Sequence, residues 1–94
     1  MQRGTIERRI RDLHARLLQA REELAVSEEQ LEVFLETADE ARIRSLVSET
    51  PLADHEWHEA QRHAEAMTRA RDAALVHVAE LERAQDELLS KLVV

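Results

Sequence analysis

Leu46-Val47-Ser48-Glu49-Thr50-Pro51-Leu52-Ala53-Asp54 lies almost at the midpoint of a 94-residue chain and contains its only proline. Pro51 has no backbone N–H and biases Thr50 away from helical backbone, so a helix arriving from the N-terminal side has to stop by about Glu49. The same residues restart a helix. Thr50 offers a capping hydroxyl, Pro51 suits the first helical position, and Asp54 and Glu56 bring negative charge to the positive end of the new helix. A connection this short makes the two helices antiparallel neighbours.

Working outward from the turn, apolar and small residues recur at alternating steps of four and three. On the first arm the series runs Ile6, Ile10, Leu13, Leu17, Ala20, Leu24, Ser27, Leu31, Phe34, Ala38, Ala41 and Ser45. On the second it runs Trp57, Ala60, Ala64, Met67, Arg71, Ala74, Val78, Leu81, Gln85, Leu88 and Leu92. This is the heptad seam of a coiled coil, sustained on both sides of the proline. In an antiparallel hairpin the numbers of facing residues sum to a constant, and pairing Ser45 with Trp57 through to Ile10 with Leu92 gives 101 or 102 throughout. The heptad phase therefore passes the turn without a slip. The prediction is one all-α domain, an antiparallel two-helix coiled-coil hairpin with a helix over about 5–48, a turn over about 48–52 and a helix over about 52–92. Thr5 is the expected cap of the first helix.

Composition narrows the class. Hydrophobic residues make up 44% and charged residues 35%, with one Gly and two aromatics, Phe34 and Trp57, so strands and further turns have almost no vocabulary. Without cysteine, neither a disulfide nor a thiolate metal site can form. No apolar run reaches the roughly 18 residues of a membrane span and no signal-peptide pattern opens the chain, so the expected location is cytoplasmic with no membrane partner. Twelve of thirteen basic residues are Arg, a codon-usage hint of a GC-rich bacterial source.

The net charge of −7 is unevenly spread. Residues 1–21 carry six Arg against Glu7 and Asp12, whereas residues 22–56 carry eleven acidic residues against Arg42 and Arg44. An acidic chain of this kind is a poor binder of phosphate backbones, and no nucleic-acid partner is expected. Glu28, Glu32, Glu36 and Glu40 form an i, i+4 ladder whose like-charge pairs disfavour the helix they sit on. They read either as a solvated face or as a docking strip for another protein with a basic surface.

A thin two-helix seam interrupted by Ser27, Arg71 and Gln85 buries little, and small domains of this kind gain stability by association. Leu18, Val26, Val33, Leu35, Leu75 and Val76 lie off the seam and are read as a second packing face. Its simplest use is a two-fold homodimer that makes a four-helix bundle.

His55, Glu59 and His63 stand at i, i+4, i+8, a spacing that could offer zinc ligands. It is not the HExxH spacing of metalloproteases, and a solvated histidine-rich face accounts for it better, since the heptad register points His55 and His58 outward. Neither a metal nor any other cofactor is expected. No Gly-rich phosphate loop, activated nucleophile or inward carboxylate pair is present, and a hairpin offers no substrate pocket, so the chain is read as a non-catalytic interaction module.

The segment Arg42-Ile43-Arg44-Ser45-Leu46-Val47-Ser48-Glu49-Thr50-Pro51-Leu52-Ala53 resembles the turn of uncharacterised small helical-hairpin, coiled-coil proteins of actinobacteria. That resemblance implies the hairpin fold and carries no activity. Actinomycete anti-sigma factors that bind cyclic di-GMP are similar hairpins, with Glu, Ser, Arg, Gln and Asp spaced along a helix. Here Glu23 and Ser27 fit that pattern, but Gln30, Phe34 and Ala38 stand at the other three positions, so ligand binding is not carried over. A regulatory module of anti-sigma type, docking on transcription machinery through its acidic face, is the second functional expectation.

Overall fold

The structure is a computed structural model that describes residues 2–93. It contains two helices, α1 (Arg3–Ser48) and α2 (Pro51–Val93), and no strand among the described residues. The fold is all-α and hairpin-like. No helix is long and apolar enough to cross a membrane.

The turn is two residues, Glu49 and Thr50. The N–H of Glu49 donates to the Ser45 carbonyl at 3.0 Å while Glu49 itself adopts a φ of 51°. This is the single-bond left-handed helix cap, made here without glycine. Thr50 then caps α2: its hydroxyl accepts the Ala53 N–H at 3.2 Å and its carbonyl accepts the Asp54 N–H at 3.1 Å. Pro51 occupies the first helical position, where its missing N–H costs nothing.

At the other end α1 begins at Arg3, two residues before the expected Thr5 cap. The Ile6 N–H reaches the Gln2 carbonyl at 3.1 Å, so Thr5 lies inside the helix rather than at its start. The Arg3 Nε–Glu7 Oε1 contact of 3.1 Å, one turn apart, supports this extra half-turn.

Two compact units divide the chain. The first joins the residues up to Ala25 with those from Ala73 on, and its core is Leu17, Ala20, Val78 and Leu81, with Leu13 and Leu24 packed against it. Leu17 is the most enclosed large side chain, at 2% exposure. The second unit, Val26–Asp72, contains the turn. Its buried positions are Leu31, Ala41, Ala53 and Ala64. Three of these four are alanines, whose small side chains present little bulk between the helices, and Ala53 extends the α2 seam one step beyond Trp57.

On α1, every position of the four-three series from Ile6 to Ser45 is buried or half-buried, and Thr5 is the only other described α1 residue that is not exposed. On α2 the series from Trp57 to Leu92 is likewise buried or half-buried. No polar or charged residue is fully buried among the described residues. Ser27, Ser45, Arg71 and Gln85 sit on the seam but keep part of their surface in water, which avoids the cost of unpaired buried polar groups. Arg71 does this by turning its Nε to Asp72 Oδ1 at 2.8 Å, leaving its side chain 32% exposed.

Candidate functional site

Of the three residues that suggested metal chemistry, two come together and the third turns elsewhere. His55 Nε2 lies 3.7 Å from Glu59 Oε2, an exposed i, i+4 contact. His63 instead meets the Phe34 ring edge-on at a centroid distance of 6.1 Å. Among the described residues no group of three or more His, Cys, Asp or Glu side chains could hold a metal ion. The heptad spacing alone does not predict the aromatic contact of His63. The seam register sets Phe34 opposite Met67, and the phenyl ring also reaches the flanking position that His63 occupies.

Glu28, Glu32, Glu36 and Glu40 are all exposed, and none makes an ion pair with another described residue. They belong to the unit Val26–Asp72, which holds twelve acidic residues against five basic ones and so accounts for a charge equal to the whole chain's −7. The other unit balances eight acidic against eight basic residues. The excess of Arg at the start of α1 is thus offset once the α2 segment in the same unit is counted.

The six residues read as a second packing face are all exposed. Within each unit they do not share one side. In the unit Val26–Asp72, Leu35 borders a groove of about 390 Å³ whose lining includes Ala38, Trp57 and Ala64, with Asp39, Arg42 and Glu65 also along it. Val33 is two residues from Leu35, so the two side chains point about 160° apart on the helix, and Val26, seven residues away, points with Val33. In the other unit Leu18 and Leu75 lie on one flank, while Val76 follows Leu75 by about 100° and faces away from the seam. Lying off a seam is not enough to define a common angle.

Of the cross-helix ion pairs that the register suggests, Arg21 Nη2 and Glu82 Oε2 stand 4.0 Å apart, both about half exposed. Glu23 and His77 line one shallow cavity with Arg16 and Gln19. Near the turn, His58 Nδ1 lies 2.9 Å from the Asp54 carbonyl oxygen and its ring stands edge-on to Trp57 at 5.1 Å.

No protein-family model, no curated protein and no solved structure matches this chain.

Proposed function

We propose that this protein is a non-catalytic interaction module, an antiparallel coiled-coil hairpin that associates with a second copy into a four-helix bundle and works as an adaptor or assembly protein in the cytoplasm. The observation that carries the reading is surface. The chain exposes 6981 Å² at 10.9 kDa, about 1,400 Å² more than the roughly 5,600 Å² of a typical folded monomer of that mass. A standard interface removes about 800 Å² from each partner, so one dimer contact would absorb much of the surplus. Of the exposed apolar residues off the seam, Leu18 and Leu75 share a flank and supply apolar area for it.

Sedimentation equilibrium over a concentration series tests this, with helical content followed by circular dichroism. A dimer of high helicity, indifferent to chelator, supports the scaffold. A well-folded protein that stays monomeric at micromolar concentration overturns it.

A second reading is favoured by the four glutamates, which have no ion-pair partner among the described residues. In it the unit Val26–Asp72 is a regulatory docking strip for a protein with a basic surface, steered by long-range attraction. Reversing Glu28, Glu32, Glu36 and Glu40 to Lys is expected to abolish capture of that partner from the native host. Unchanged capture discards the strip.

A further inference from the structure

We infer that the second copy docks on one particular flank of the unit formed by the residues up to Ala25 and those from Ala73 on, the flank that carries the Arg21–Glu82 pair. The inference rests on the self-association proposed above and names its surface and its symmetry.

Electrostatics selects the unit. This unit balances eight acidic against eight basic residues, so a contact through it rests on individual charge pairs rather than on net charge, whereas Val26–Asp72 carries −7. Apolar area selects the flank. In the heptad frame of this unit Leu18, Leu75 and Leu89 fall on the side occupied by Arg21 and Glu82, and each is exposed by 43–48%. The opposite flank, where Arg9, Arg16 and Glu87 line a shallow cavity, holds none of the exposed large apolar residues.

Charge then selects the symmetry. Between Arg11 and Ala25 the flank residues that α1 contributes include Arg11 and Arg21 and no acid. The α2 residues beside them include Glu82 and Asp86 and no base. A two-fold axis perpendicular to the helices would set α1 on α1 and oppose like charges. An axis parallel to them sets the α1 of one copy on the α2 of the other, which is complementary twice over because a two-fold contact repeats itself. Arg21 of each copy then meets Glu82 of the other, and the four side chains alternate in sign around a closed ring. The exposed Leu18 of one copy lies beside Leu89 of the other. The two lean toward each other, since helical side chains tilt toward their own N-termini and these helices run in opposite directions.

The full-length chain tests this by charge exchange. Arg21→Glu alone and Glu82→Arg alone should each raise the dimer dissociation constant by about tenfold or more, because every homodimer then opposes like charges. An equimolar mixture of the two variants should recover dimers, and native mass spectrometry should find one chain of each kind in them. The intrachain pair stays broken in both variants, so its restoration cannot explain a recovery. Variants that dimerise like the wild type, or a mixture that fails to recover, overturn the flank while leaving self-association intact. A monomeric wild type removes the reading beneath it. If either charge variant loses helicity, Leu18→Glu at an exposed position decides instead: weakened dimers support the flank, and wild-type affinity refutes it.

Discussion

Glu49 is the one described non-glycine residue with positive φ, and it sits where the chain must leave α1. For an L-residue with a Cβ the left-handed region costs roughly 1–2 kcal/mol, a cost glycine avoids. Its carboxylate also stands at the negative end of α1, whose last turn contains no basic residue. Glu49→Gly is therefore expected to stabilise the fold by about 1 kcal/mol, raising the melting temperature by about 4–8 °C in a domain of this size. Thermal unfolding followed by circular dichroism reads this directly, and a variant that melts lower would show that the Glu49 side chain contributes something the cap geometry does not explain. Thr50 and Pro51 needed no structure to be understood. Their roles follow from a hydroxyl and a missing N–H. The left-handed turn at Glu49 was not legible, because residue type favours glycine or asparagine there and only the backbone path demands it.

At the scale of the helix, α1 lacks acidic residues in its first turn and basic residues in its last, so its macrodipole is unsupported at both ends. It also carries the ladder Glu28, Glu32, Glu36 and Glu40. Each like-charge i, i+4 pair costs an isolated helix about 0.2–0.5 kcal/mol, and the ladder has three. Replacing the four glutamates by glutamine should stabilise the protein by about 1 kcal/mol at low ionic strength. The gain should shrink as salt rises, since surface charges are screened beyond about 8–10 Å at 0.1–0.15 M. Denaturant unfolding at two salt concentrations measures it. A gain that survives high salt would point to helix propensity rather than repulsion.

For the molecule as a whole, ten buried apolar residues among those described, four of them alanine and only one large side chain essentially enclosed, make a thin core. A protein that gains stability by dimerising binds its partner only in the folded state, so its melting temperature must depend on concentration. Thermal scans across a hundredfold range of protein concentration should move the midpoint upward. A constant midpoint would mean that folding and association are not linked.

The sequence by itself determined the two helices, the place of the turn, and which side of each helix is withdrawn from water. Those depend on local chemistry and on a period of 3.5 residues, both of which are written in residue order. Even Ala53 was accessible to that logic, standing four residues before Trp57, although alanine is too small to announce a seam. What only the tertiary structure decided concerns residues off the seam. Whether His63 joins His55 or meets Phe34, and whether Leu35 and Val33 share a side, depends on angle around a helix and on reach across to its neighbour. Composition alone specifies neither. The division of charge into a neutral unit and one of −7 likewise emerges only when distant segments of chain are brought side by side.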